Sequence, residues 1–154
     1  EDGSSGIEAA DLSDWAGKKA GGGAGTQYMK IAEKQGAEPV IYDNVTNDVY
    51  LRDVSTGRTD FIPNDYFTQV MAIQWVKSNF PDIKVKMGDA QYNPTEQGIV
   101  MSKYDDSLKE KLDETIEAMK ADGTLKAISE KYYGGQDLTV PVENADELPV
   151  IDVE

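Results

Sequence analysis

Two short segments carry the side chains best suited to chemistry. Ala24-Gly25-Thr26-Gln27 sets a glycine, a hydroxyl and an amide at the point where a helical pattern begins. Backbone amides at a helix start lack intrahelical partners and lie at the positive end of the dipole, which suits a carboxylate or a phosphate. Gly22, Gly23 and Gly25 would let a ligand approach the backbone closely. The second segment runs Gly57-Arg58-Thr59-Asp60-Phe61-Ile62-Pro63-Asn64-Asp65. It places a turn, a short apolar run and an Asn-Asp pair directly ahead of another helical pattern. That order reads as a strand presenting the Asp65 carboxylate at the mouth of a sheet, where α/β proteins bind ligands. Both segments also have a plainer reading, since Thr26 and Asp65 are good helix N-caps. One segment would bind a negative group and the other a positive one. Buried charges need partners, so opposite polar ends at one crevice fit a zwitterion better than two unrelated caps.

Several other chemistries are disfavoured. The 154 residues contain no Cys and no His, so thiol and imidazole catalysis, the usual zinc sites and disulfides are excluded. No catalytic residue, metal or cofactor is expected. The phosphate-loop pattern requires Gly-Lys-Ser/Thr, and Gly25-Thr26 has no preceding Lys. The dinucleotide pattern fits Gly21-Gly22-Gly23 only loosely. Asp43, Asp48 and Asp53 lack calcium-loop spacing. A net charge of −14 would repel phosphates, so nucleic acid is not an expected partner. The charge is concentrated late: residues 105–154 hold 14 acids and 5 bases. Trp15, Trp75 and the tyrosines read as core or rim.

The elements that must position the two segments follow from periodicity and punctuation. Lys19 to Gly23 reads as a strand despite three consecutive glycines, and a helix follows to about Gln35, stopped by Gly36. Pro39 to Tyr42 reads as a second strand. Asp43-Asn44 is expected to cap a helix carrying Val45, Val49, Leu51 and Val54. Phe61-Ile62 reads as a third strand, followed by an apolar helix from Tyr66 to Asn79. Ile83 to Met87 and Gly98 to Met101 are further strand candidates. From Asp105 the character changes to two helices, the first striped by Leu108, Leu112, Ile116 and Met119, the second by Leu125, Ile128 and Tyr132. The first six residues read as a mobile lead-in. Residues 137–154, with six acids and no base, read as extended or disordered. The fold class expected is α/β, a mostly parallel sheet with helices on both faces followed by two C-terminal helices.

These segments in this order resemble the polar amino-acid-binding proteins of ABC importers, which have the type II periplasmic-binding-protein fold. The stretch from Gly57 to Asp65 is similar to that family's Gly-Arg-Val-Asp-Ala-x-x-x-Asp. Asp11-Leu12 followed by Gly17-Lys18-Lys19 resembles the entry to the second lobe, and Gly25-Thr26 resembles the carboxylate-binding helix start. Gln97-Gly98-Ile99-Val100-Met101-Ser102-Lys103 is similar to the strand returning to the first lobe. Leu112 to Tyr133, with Asp122-Gly123-Thr124 and Lys131-Tyr132-Tyr133-Gly134, resembles the closing helices. The likeness runs from about residue 7 to residue 136. Gln27 in place of a second Ser or Thr, Gln97 in place of an aromatic, and the glycine-rich strand depart from the pattern.

The resemblance implies a division into 1–10 (lead-in or hinge remnant), 11–100 (α/β ligand-binding lobe), 101–136 (return strand and helical pair of an absent first lobe) and 137–154 (acidic tail). It implies capture of a polar amino acid or small zwitterionic derivative between two lobes, and delivery to an ABC permease. Asp65 would take the α-ammonium, and Thr26 and Gln27 the α-carboxylate, with Ala24, Gly25 and Asn64 shaping the wall. The family's carboxylate-pairing Arg would lie in the first lobe, because Arg52 and Arg58 fall before Asp65. The expected place is extracytoplasmic, in the periplasm or on the outer face of the cytoplasmic membrane. Membrane attachment is expected only through a lipid anchor absent from this chain. Without its first lobe the chain is expected to form a homodimer through residues 105–133. The alternatives are an enzyme on the same fold, dehydratase- or lyase-like, and a sensory ligand-binding lobe.

Overall fold

The structure is a computed structural model and describes residues 3–153. The chain divides into two compact units, one formed by the residues up to Asn93 together with those from Pro149, the other by Pro94–Leu148.

In unit 1 the order is β1 (Lys19–Gly23), α1 (Gln27–Lys34), β2 (Glu38–Tyr42), α2 (Asn47–Ser55) and α3 (Tyr66–Asn79). β1 and β2 pair in parallel, with Gly21 opposite Val40. The expected third strand is reduced to a parallel bridge between Ala20 and Phe61, in which Gly21 N–H donates to Phe61 O at 2.9 Å. Phe61 therefore flanks β1 on the side away from β2. Pro63, which has no N–H, follows two residues later, so a longer ladder would lose a donor there.

The glycines of β1 are a packing requirement. A Cβ on Gly22 would lie 2.4 Å from Met29 Sδ, and one on Gly21 would lie 2.6 Å from Ile62 Cδ1. Successive strand residues face opposite sides, so α1 closes on one face at Gly22 while Ile62 closes on the other at Gly21. Met29 belongs to a core cluster with Leu12, Trp15, Ala20, Ile31, Ala32, Ala37 and Phe61. Gly22 thus makes room for Met29, not for a ligand as its position in the glycine run had suggested.

A second cluster joins Leu51 of α2 and Ala72, Ile73 and Val76 of α3 to Ile83 and Val85. Ile83 and Val85 alternate with exposed Lys84 and Lys86 as a half-buried strand should, yet they join no sheet. They bury against helices, and Lys84 N–H is met by Ser55 Oγ at 2.9 Å in place of a ladder partner. Asn44 turns the chain at φ 52, and the N-cap of α2 is Thr46, not the expected Asp43-Asn44.

Gly3 to Gly6 and Pro149 to Val153 are tied down more than their composition indicated; the outermost ends of the expected lead-in and tail lie outside the described residues. Gly6 N–H donates to Gly3 O, and Lys18 Nζ holds Ser5 O at 2.7 Å. Ile151 and Val153 pack against the Trp15 cluster. Their acidic setting concealed a period-two pattern, with Val150 and Asp152 exposed and Ile151 and Val153 facing inward.

Unit 2 contains α4 (Asp106–Ala121), α5 (Thr124–Tyr132) and a 3-10 turn at Ala145–Glu147. Asp105 caps α4, its Oδ1 accepting from Leu108 N–H, and Gly123 at φ 80 separates the helices. Gly98–Met101 forms no strand, and Val100 is 98% exposed. Unit 2 contains no strand among its described residues, so this extended segment has no edge there to pair with. No helix among the described residues is long and apolar enough to cross a membrane.

Candidate functional site

The candidate residues sit where β1 and the Phe61 bridge both end. Because these two run parallel, the chain leaves each of them toward the same edge, into α1 on one side and α3 on the other. Gly25 takes the left-handed region at φ 69 with open space where a side chain would project. That turn delivers Thr26 as the N-cap of α1. Its Oγ1 accepts from Met29 N–H at 3.3 Å and donates to Gly23 O at 3.1 Å. Gln27 is the exposed first residue of α1, and Ala24 is exposed beside it. The amides at this start have the dipole orientation that favours an anion.

Asp65 is the N-cap of α3. Its Oδ1 accepts from Thr68 N–H at 2.8 Å, and Asn64 Oδ1 accepts from Asp65 N–H at 2.8 Å. Asp65 is half-buried, and Oδ2 takes part in no hydrogen bond among the described residues. The capping reading and the ligand reading are therefore compatible, because capping uses one oxygen and leaves the other toward solvent. Neither arginine reaches this edge. Arg52 pairs with Asp82 at 2.8 Å, and Arg58 with Asp53 at 3.5 Å.

Two residues join the site that sequence reasoning had left among core or rim aromatics. Burial, and then the nearby Asp65 carboxylate, push the Tyr28 hydroxyl up from its ordinary pKa. Tyr28 lies in the first turn of α1, within electrostatic reach of Asp65. Tyr92 packs edge-on to Trp15, ring centroids 5.5 Å apart, and its hydroxyl is buried without a hydrogen-bond partner. Burial first, and then Tyr28, push the Tyr92 hydroxyl up to about 12. The available signal was position: Tyr28 follows Gln27 by one residue. For Tyr92, distant in sequence, there was none.

Residues 18–135 match the bacterial extracellular solute-binding proteins, family 3. This chain belongs to that family. It is 41% identical over 133 residues to the probable ABC transporter extracellular-binding protein YckB of Bacillus subtilis, covering 86% of this chain and 45% of the relative. The crystal structure of that Bacillus subtilis protein superposes with a TM-score of 0.79 at 40% identity, covering 98% of this chain and 57% of the other. The ABC transporter arginine-binding protein 1 of Escherichia coli is 33% identical over 127 residues, covering 79% of this chain and 50% of the relative. The chain thus spans about half the length of the curated relatives it matches. The family consists of binding components of transporters, and the likeness in structure establishes the α/β periplasmic-binding-protein fold.

Proposed function

We propose that this chain supplies one lobe of the ligand grip in a solute-binding component of an amino-acid ABC importer, and that the ligand is a polar amino acid or close derivative. The observation that carries the reading is the shared edge. Asp65 Oδ2 is left over from capping α3, and the Gly25–Gln27 turn opens α1 after a segment that runs parallel to the one before Asp65. A carboxylate acceptor and a helix start so placed match the two ends of a zwitterion. In this reading Asp65 takes the α-ammonium, the Thr26 hydroxyl and the Thr26 and Gln27 amides take the α-carboxylate, and Ala24, Gly25 and Asn64 form the wall. Residues 11–100 serve as the binding lobe, and 101–136 return to the first lobe.

The action is capture without chemistry. With no His or Cys in the chain, a general acid or base would have to come from Asp65, a neighbouring tyrosine or another lobe. The bound ligand passes to a membrane permease, from the periplasm or the outer face of the cytoplasmic membrane, where a lipid anchor would hold the protein. Taken alone, the chain pairs with a second copy through residues 105–133. Support comes from the exposure of Leu108 (44%) and Tyr132 (60%), and α4 holds no buried residue.

The test is a thermal-shift screen against the amino acids, in a polypeptide carrying both lobes. A tight ligand raises the midpoint by mass action, about 2.7 kcal/mol at a hundredfold excess over Kd. Asp65→Asn keeps an oxygen that can cap α3 but removes the charge, so it should abolish the shift while leaving the unliganded midpoint unchanged. A full shift in Asp65→Asn would reject the assignment.

A further inference from the structure

The chain passes between unit 1 and unit 2 twice, at Asn93–Pro94 and at Leu148–Pro149. On the unit 1 side, these two crossings are tied to each other through one residue. Asn93 N–H donates to Pro149 O at 2.9 Å. Its side-chain amide exchanges a pair of hydrogen bonds with the backbone of Ile151. Nδ2 donates to Ile151 O at 3.0 Å, and Oδ1 accepts from Ile151 N–H at 2.6 Å. This pair copies the exchange between opposite residues of an antiparallel ladder, with a side chain standing in for one strand. Asn93 is held at φ 49, a region Asn tolerates better than most residues.

The segment that receives these bonds is anchored on its other side. Ile151 and Val153 turn inward onto the Trp15 cluster, and Lys34 Nζ donates to Asp152 O. Tyr92, the neighbour of Asn93, packs on the same Trp15. Both crossings are thus fastened to one core, and Asn93 is the residue that fastens them to each other. Two connections left independent would each flex about their own dihedrals. Tied together, they leave fewer ways to bend.

We propose that Pro149–Val153 is a strap and that Asn93 is a positioning residue, joining the two crossings into a single pivot. The inference rests on the two crossings and not on ligand chemistry, so its failure would leave the capture reading standing, and the reverse also holds.

The chain has no native Cys, so cysteines at exposed Lys30 and Lys111 give one labelled site in each unit for spin-label distance measurements. Asn93→Asp preserves tolerance of the left-handed backbone and the acceptor for Ile151 N–H, but sets a carboxylate against Ile151 O. Its inter-label distance distribution should widen about twofold, with little change in the Trp15 environment read by fluorescence. Deleting the chain from Pro149 should widen it equally, and Asn93→Asp should add nothing to the deletion. Unchanged widths in both variants would overturn the proposal, as would additive widening. Loss of circular dichroism in both would make the strap a core element with no separate pivot role, and would also overturn it.

Discussion

Replacing Gly22 with Ala tests how the strand beneath the candidate site is built. In an open extended position this change stabilises, by about 0.4–1 kcal/mol, because Gly loses more freedom on folding. Here the new Cβ would lie 2.4 Å from Met29 Sδ and 2.8 Å from Met29 Cγ. Ordinary carbon contacts sit near ~3.5–4.0 Å, so the side chain must retreat by roughly 1 Å. Met29 is 1% exposed and has no free side to retreat into. Overpacking costs about 1–3 kcal/mol, and the adaptability of a thioether places this case at about 1–2. Gly23→Ala is the matched control, since its Cβ meets only the Thr26 methyl at 3.5 Å. Urea unfolding followed by fluorescence of Trp15, which shares the cluster with Met29, reads both variants. Gly22→Ala should lose stability and Gly23→Ala should not. Combining Gly22→Ala with Met29→Ala should cost less than the two separate losses together, because the clash is relieved. If Gly22→Ala matches the parent, or Gly23→Ala is equally destabilised, this packing account is wrong.

Two further outcomes are expected. Tyr42 and Tyr92 have hydroxyls pushed up to about 12, both by burial first and Tyr42 also by the 2.5 Å hydrogen bond it donates to Asp53. A raised folded pKa means that the stabilisation is complete below the ordinary tyrosine value and is lost as pH climbs through about 12. Tyrosinate absorbance during alkaline titration should therefore show late-ionising groups that disappear one at a time in Tyr42→Phe and Tyr92→Phe. For self-association, light scattering of the isolated chain should show mass rising from monomer to dimer with concentration. Leu108→Lys together with Ile116→Lys should return it to monomer, and a monomer at every concentration with amides of α4 protected from exchange would contradict the pairing.

The sequence was most legible where punctuation and periodicity agreed. Gly36 and Gly57 end the first two helices, and the third helix begins after Asp65 as its capping chemistry required. Legibility failed where a pattern can be satisfied in more than one way. Ile83 and Val85 alternate like a strand, but alternation specifies a buried face and not a hydrogen-bonded neighbour, and helices supply the cover. Ile151 and Val153 were hidden by surrounding acids, although their spacing already defined an inward face. At the site, Thr26 and Asp65 could be named because capping and ligand chemistry draw on the same residue types. Tyr92 could not, since its packing on Trp15 depends on a fold-back of the chain that no local pattern encodes.

The central claim is that Asp65 holds an ammonium, and a ligand–protein cycle by calorimetry tests it most directly. The parent and Asp65→Asn, each carrying both lobes, are titrated with the ligand found by screening and with its analogue lacking the α-amino group. Leaving either charge buried without its partner costs about 2–5 kcal/mol. Each single removal should therefore weaken binding strongly, and making both changes should cost little more than either alone. Losses that simply add would show that Asp65 and the α-amino group do not meet.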